Sequence, residues 1–336
     1  MTAAQPDHFV VAVTATYCRS DELRRCANSL LQAGQELGAF FVVDNGGSGG
    51  DRLSSEFSTL PITCIRPQQN LGFGGGLALA MRTALATHGD RITHFLILDD
   101  DVELSPDCVS KLLAGLTAAQ AELGCPLILG ADGQIGWFPG LVAPGPWRAI
   151  RQATVPADYL QRCGDEPVAF SWSTFVCLLV SASAVRAVGF PREDYWVRGE
   201  DLEYSLRLTA RFRSAFLPGI AICHLVPAEG STKTAMPDGD RFKYLAMLQN
   251  SAYTAAWLPH GRRLWRHLPG NIYRFFQSFG GKWFDVPDVL RALWNGLVKA
   301  GPAGAHGADF LQRAAAEIKL PPRTVPKLPA QAESKL

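Results

Sequence analysis

Nowhere in the 336 residues are two of the eight cysteines (Cys18, Cys26, Cys64, Cys108, Cys125, Cys163, Cys177, Cys223) spaced C-x-x-C. That excludes a zinc ribbon and a thioredoxin-type redox motif. Scattered through apolar segments of a chain too long to need stapling, they read as reduced core thiols of a cytosolic protein. Charge of one sign is missing too. With 32 basic and 31 acidic residues the net charge is +1, too small for a global field that recruits nucleic acid. The densest apolar stretch, Phe175 to Val180, falls far short of the roughly 20 residues that cross a bilayer. Met1 to His8 is polar, without a basic or apolar leader region, so no signal peptide is expected. The 32 Gly and 22 Pro follow no G-X-Y period, which removes collagen, and no internal repeat is visible.

What is present is globular: 47% hydrophobic and 19% charged residues, enough for one large domain or two modest ones around a sizeable core. Apolar runs at 9–14, 40–43, 62–65 and 95–98 have the length and continuity of strands covered on both faces. Between them, apolar residues recur at helical spacing: Leu23, Cys26, Ala27, Leu30 after a Ser20 N-cap, and Leu77, Ala80, Met81, Ala84. Ser105-Pro106 reads as the cap and first residue of a further helix. Alternation of this kind predicts an α/β fold with a mainly parallel sheet between helices, whose ligands bind beyond the carboxyl ends of the strands. Those ends carry Asp44, the glycines at 72 and 74–76, and Asp99-Asp100-Asp101. Residues 132–168 read as a surface excursion and 170–181 as renewed order. A helix is expected to open beside Asp201, and a short strand 215–217 to lead through Pro218-Gly219 to a second one ending at His224. A helix begins at Arg241.

Three consecutive aspartates after a buried strand are costly unless a cation compensates them, and hard divalent ions take carboxylates together with a substrate diphosphate. The plainer reading is a solvated acidic turn; the position at a strand end, facing glycines, favours the metal. The glycines let backbone amides approach a ligand, but they follow the third strand and do not match G-x-G-x-x-G, which argues against a dehydrogenase. Glu200-Asp201-x-Glu203 is either a set of capping acids or a pocket wall holding a base, and its neighbours Tyr195, Trp196 and Arg198 favour the wall. His224, alone at a strand end, is a structural residue unless it joins the aspartates.

In order, Thr14-Ala15-Thr16-Tyr17-Cys18-Arg19, Val43-Asp44-Asn45-Gly46, Asn70-Leu71-Gly72-Phe73-Gly74-Gly75, Leu98-Asp99-Asp100-Asp101, Gly199-Glu200-Asp201-Leu202-Glu203-Tyr204-Ser205-Leu206-Arg207 and His224 resemble an inverting family 2 glycosyltransferase of the GT-A fold. The Glu-Asp-x-Glu-Tyr-x-Leu-Arg string is most similar to bacterial galactofuranosyltransferases and, next, rhamnosyltransferases. The resemblance implies a donor site from Thr16, Arg19, Asp44, Asn70, Gly74, Asp99 and Asp100, with Asp44 at the base or ribose of a nucleoside-diphosphate sugar, UDP favoured. It implies Mn²⁺ or Mg²⁺ on Asp99, Asp101 and His224, Asp201 as general base and Glu200 beside it. The implied activity moves a sugar, galactofuranose first, to a glycan or lipid-linked glycan of the cell surface. Rhamnosyl transfer and a non-catalytic nucleotide-sugar binder are the alternatives. A nucleotidyltransferase would need a Gly-rich, Arg/Lys-bearing loop after the first strand, which 16–20 is not. The family's Tyr-x-x-x-Arg-Asn segment is altered here to Tyr244 followed by Gln249-Asn250, and its DNxSxD turn to Asp44-Asn45-Gly46-Gly47-Ser48.

The expected organisation is a catalytic domain over 1–255, with a nucleotide half at 9–131 and an acceptor half at 132–255, then a helical region at 256–320 and a disordered tail at 321–336. Residues 257–300 hold seven Lys/Arg against Asp285 and Asp288, a net +5, and four of the eight tryptophans. Such a mixture suits the headgroup boundary of a membrane. It equally suits a helical subdomain packed on the core. The expected location is cytoplasmic, with peripheral contact at the inner face of the membrane.

Overall fold

The computed structural model of the protein describes residues 8–47, 49–137, 139–142, 150–151, 164–226, 241–266, 268–278 and 286–298. The expected tail at 321–336 lies outside them, as do Trp283 and Lys299.

Strand β1 (Val10–Thr16) is buried along its whole length and sits between β2 (Leu37–Asp44) and β4 (His94–Leu98), parallel to both. β3 (Ile62–Ile65) adds in parallel beyond β2. Alternate residues of β1 point to opposite faces, as the twofold strand period requires. Val10 and Ala12 join one core with Leu23, Ala27 and Leu30 of α1 (Ser20–Leu30), Leu53 of α2 (Gly50–Glu56) and Leu112 and Leu116 of α4 (Cys108–Ala119). Val11, Val13 and Ala15 join the other with Leu77, Ala80, Met81 and Ala84 of α3 (Gly72–His88), Val185 of α5 (Ala182–Val188) and Tyr204 and Leu208 of α6 (Glu200–Thr209). The chain order β1, β2, β3 runs outward on one side of β1 and continues at β4 on the other, so the sheet has a topological switch between β1 and β4. The rim beyond that switch is where an open α/β sheet accepts a ligand.

Across β4 the sheet becomes mixed: β10 (Cys177–Ser181) is antiparallel to β4 and to β6 (Leu123–Gly130), and β11 (Ser214–His224) runs parallel to β6. β5 (Val102–Glu103) closes the order β3-β2-β1-β4-β10-β6-β11-β5. A small second sheet, β8-β7-β9, is built from Ile150–Arg151, Gly140–Val142 and Phe170–Trp172.

Four local expectations need correction. Helix α1 starts at Ser20 itself, with no side-chain cap bond, and Asp21 and Glu22 in its first turn favour the positive end of the helix dipole instead. Helix α4 starts at Cys108 and not at Pro106, because Asp107 takes a left-handed conformation (φ 57°) while its N–H donates to the Gln32 carbonyl. The two short strands expected around Pro218-Gly219 are one strand, β11, whose register against β6 shifts between Leu217 and Ala221 to absorb the prolyl residue that cannot donate. The excursion at 132–168 contributes strands of the small sheet, while the order expected across 170–181 is present as β9 and β10.

Helix α7 (Arg241–Trp257) leads into the 3₁₀ turns Pro259–Arg266, then α8 (Leu268–Ser278) and α9 (Val286–Val298). α7 meets α9 through Leu245, Leu248, Val289 and Ala292, and meets α6 through Ala255, Leu206 and Leu264. At Gly296 a Cβ would stand 2.3 Å from the Gln249 carbonyl oxygen, so only glycine allows the two helices their approach. Trp257, Trp265, Tyr273, Leu290, Trp294 and Val298 remain 45–62% exposed. Among the described residues no helix is long and apolar enough to cross a membrane.

Candidate active site

The acidic turn after β4 is held from both sides. Thr16, at the end of β1, donates its hydroxyl to Asp100 Oδ2 at 2.6 Å. Arg19, three residues on, donates to Asp100 Oδ1 at 3.0 Å and Asp101 Oδ2 at 2.6 Å. From the opposite side, β11 pairs with β5 so that His224 faces Val102, the residue after Asp101. The Leu225 N–H also donates to the Asp101 carbonyl. This register carries the imidazole to the aspartates: His224 Nε2 lies 2.8 Å from Asp101 Oδ1 and 3.9 Å from Asp99 Oδ2. The edge-on ring of Trp137, 4.1 Å between centroids, backs the imidazole.

Negative charge here exceeds what Arg19 and His224 supply. Burial and the charge of Asp101 push the Asp99 carboxyl up to about 7, against the pull of His224. Burial likewise raises Asp100 to about 6 despite Arg19. Asp101 goes the other way: burial opposes ionisation, but the hydrogen bond and charge of His224 and the charge of Arg19 outweigh it. His224 is raised in turn, because its bond to Asp101 and the charges of Asp101 and Asp99 exceed the cost of burial. A divalent cation would relieve the excess. The ligand atoms of Asp99, Asp101 and His224 lie within 4.8 Å of one another. Two carboxylates and one imidazole, leaving coordination positions for phosphate and water, fit Mn²⁺ or Mg²⁺.

The second acidic group stands at the start of α6. Glu200 is buried and its Oε2 has no hydrogen-bond partner. Burial, then the charge of Asp201, raises its carboxyl to about 8, and the charge of Asp99 adds to this. Asp201 is also raised by burial, but the Leu202 N–H donates to its Oδ1 at 2.7 Å and Arg198 favours its charge. Burial thus raises both neighbouring carboxyls, and the charge of Asp201 adds to the rise at Glu200. Glu203 belongs to neither role. Its carboxylate is gripped by Arg207 at 2.9 Å through both oxygens, and Arg207 continues to the carbonyls of Val188 and Phe190.

The remaining candidates hold loops together. Asp44 accepts from the Gly46 and Gly50 amides at 3.2 and 3.3 Å, shaping the turn after β2. Asn45 ties that turn to the next one, donating to the Gly72 carbonyl and accepting from the Leu71 N–H. Asn70 accepts from Gly72 N–H and, through its carbonyl, from Trp196 Nε1. The glycine cluster makes close approaches within the protein. A Cβ at Gly74 would meet the Arg192 carbonyl at 2.8 Å and Glu200 Cβ at 3.3 Å, and one at Gly72 would meet the Trp196 carbonyl at 2.1 Å. The glycines let α3 approach the segment that carries Glu200.

Sequence reasoning attached no role to Asn45, Trp137 or Asn250, and placed Trp196 only in a pocket wall. The backbone bends through left-handed conformations at Trp196 (φ 55°), Arg198 (φ 63°) and Gly199 (φ 93°) just before Glu200. For the two residues with side chains that costs about 1 kcal/mol each. Asn250 Nδ2, from α7, donates towards the carbonyls of Tyr195, Val197 and Arg198 at 3.0, 3.2 and 2.7 Å. A buried asparagine followed by a tyrosine-bearing turn of helix gives no such signal in the sequence alone.

The sequence profile of glycosyl transferase family 2 matches residues 11–182, half of the chain. The chain belongs to glycosyl transferase family 2. Within that family it is 30% identical over 205 residues to the galactofuranosyltransferase GlfT1 of Mycobacterium tuberculosis (strain ATCC 25618 / H37Rv), covering 59% of this chain and 64% of the relative. Against GlfT1 of Mycolicibacterium smegmatis the identity is 31% over 204 residues, with 59% and 65% covered. The match thus spans a little under two thirds of those relatives. In three dimensions the chain is similar to Staphylococcus aureus TarS 1–349 in complex with UDP-GlcNAc (TM-score 0.57, 15% identity, 88% of this chain and 82% of that one). It is also similar to GalNAc-T7 with UDP, GalNAc and Mn²⁺ (TM-score 0.53, 14% identity, 83% and 56%). At these identities the likeness establishes the fold, which is GT-A.

Proposed function

We propose that this chain is a metal-dependent inverting glycosyltransferase that moves a sugar from a nucleoside diphosphate to an acceptor hydroxyl. The observation that carries the reading is the meeting of Asp99, Asp101 and His224 with Glu200 and Asp201 on one rim. Mn²⁺ or Mg²⁺ held by Asp99, Asp101 and His224 would supply Lewis acidity and orientation at the donor diphosphate. Asp201 takes the proton of the acceptor hydroxyl as its oxygen attacks the anomeric carbon. Glu200, its carboxyl raised to about 8 and its Oε2 without a partner, would offer a hydrogen bond to a sugar hydroxyl. One base without a second nucleophile in the same position predicts inversion at the anomeric carbon. The relatives named above favour galactofuranose and a UDP donor. Incubation with a panel of nucleotide sugars and Mn²⁺ tests the reading: release of nucleoside diphosphate supports it, release of pyrophosphate would mark a nucleotidyltransferase, and binding without release a non-catalytic protein.

A cavity of about 550 Å³, lined by Cys18, Ser20, Asp51, Arg52 and Arg66, adjoins Asp44 and suits the nucleoside end of the donor. Arg66 Nε stands 4.0 Å from Asp44 Oδ2 there. Cys18 is exposed at its wall. A thiol-alkylating reagent is therefore expected to block donor binding, and nucleoside diphosphate with Mn²⁺ to slow the alkylation of Cys18. Equal labelling with and without nucleotide would remove the cavity from the donor site.

We also propose that the C-terminal helices touch an anionic lipid surface, which would suit a lipid-linked acceptor. Leu290, Trp294 and Val298 recur every fourth residue on one exposed face of α9, and Trp257 Nε1 donates to the Leu297 carbonyl beside them. Seven basic against two acidic residues over 257–300 add attraction of about 1 kcal/mol per basic residue near such a surface. The protein is expected to pellet with vesicles rich in phosphatidylglycerol at low salt and to be released as salt rises. Failure to pellet at any salt would exclude the contact.

A further inference from the structure

We infer that Asn250 is a positioning residue for Asp201, setting the pose of the base from a helix outside the acidic rim. The inference rests on the reading of Asp201 as general base. Residues 195–199 form the lead-in to α6, and their left-handed turns at Trp196, Arg198 and Gly199 aim three carbonyls, of Tyr195, Val197 and Arg198, at a single side-chain nitrogen. Three acceptors can be met only by a donor, so chemistry dictates which end of the carboxamide faces them.

The clamp is itself fixed. Thr254, one helical turn along α7, donates its hydroxyl to the main-chain carbonyl of Asn250 at 2.8 Å and is bonded to the Tyr195 hydroxyl. Tyr195 and Thr254 are both buried. Gly199 lies against the asparagine so closely that a Cβ there would be 3.3 Å from Asn250 Cβ. On its far side the same lead-in reaches the donor half, where the Trp196 carbonyl accepts from the Phe73 N–H at 2.8 Å. The next residues in the chain are Glu200 and Asp201. A loop that must hold two non-glycine residues at positive φ has no local reason to keep that shape, and a displacement near 1 Å at a reacting group can cost about 10²-fold in rate. The three bonds of Asn250 end on the residues directly before Glu200 and Asp201, so its effect is expected on the acceptor step.

The test is a double-mutant cycle with nucleoside diphosphate affinity measured in parallel by calorimetry. Asn250→Ala is expected to lower kcat for transfer by roughly 10- to 100-fold while donor KM and nucleotide affinity stay within about twofold. Asn250→Asp, which keeps the volume but offers carboxylate oxygens to three carbonyls, is expected to do the same or worse. On an Asp201→Asn background, Asn250→Ala should cost almost nothing further, because the group it positions is already gone. The inference is overturned if Asn250→Asp turns over near normally, if either Asn250 variant loses nucleotide affinity or fails to fold, or if the two losses multiply. An Asp201→Asn single variant with near-normal turnover would instead sink the assignment of the base, so the two failures are told apart.

Discussion

Replacing Asp201 with asparagine is expected to reduce transfer by roughly 10²–10⁴-fold, the ordinary contribution of a general base, with donor binding little changed. The variant keeps the shape and the acceptor oxygen for the Leu202 N–H; what it loses is the site that takes a proton. As the proposed base, the same residue is expected to set the acid limb of the pH profile. Burial holds its carboxyl above the ordinary carboxylate range near ~4. Activity should therefore rise with pH through a point displaced upward from that value, as Asp201 sheds its proton. Turnover of Asp201→Asn close to the parent would move the base to Glu200. Glu203 is no longer a rival, since Arg207 holds both of its oxygens.

Chelation of divalent cations is expected to abolish turnover, and Mn²⁺ or Mg²⁺ to restore it. Asp99, Asp101 and His224 converge from two strands, and the raised carboxyls of Asp99 and Asp100 register negative charge that Arg19 and His224 leave uncompensated. His224→Ala and Asp101→Asn should raise the Mn²⁺ concentration needed for half-maximal nucleoside diphosphate release by more than the roughly 10- to 100-fold seen when only an outer support is lost. Asp100→Asn should shift it less, because Asp100 is not one of the three converging groups and its two oxygens are bonded to Thr16 and Arg19. Full activity in excess chelator would overturn the metal assignment.

Much of this was legible in the residues because burial leaves a one-dimensional trace. A strand covered on both faces must be apolar throughout, so β1, β2 and β4 stand out. Carboxylates next to such strands are expensive, so Asp99 to Asp101 stand out against them. Elements decided by single backbone angles were harder: the left-handed Asp107 that delays α4, and the irregularity that lets β11 run through Pro218. Within Glu200-Asp201-x-Glu203 the three acids look alike until partners are assigned, although Arg207, four residues after Glu203, was a readable signal of an intrahelical pair. The glycines pointed to close approach, and within the protein the neighbours that approach are Trp196 and Glu200. Asn250 could be placed in the altered Tyr-x-x-x-Arg-Asn segment, but not its contacts, which are carbonyls more than 50 positions away.

The shift in composition at 255/256 falls inside α7, which runs unbroken to Trp257. One side of this helix grips the residues leading to Asp201, and its other side receives α9 at Gly296 without the space for even a methyl group. Helix and neighbour therefore behave as one stiff strut, with the exposed Trp294 stripe at one end of the load path and Asp201 at the other. Shortening the chain before residue 286 would strip the cover from Leu245 and Leu248, loosening the strut from behind. The damage would reach the reaction before it reached the nucleotide. In such a protein, accessory helices and catalytic machinery cannot be exchanged independently, and a swap that ignores Gly296 would be read out first as lost turnover.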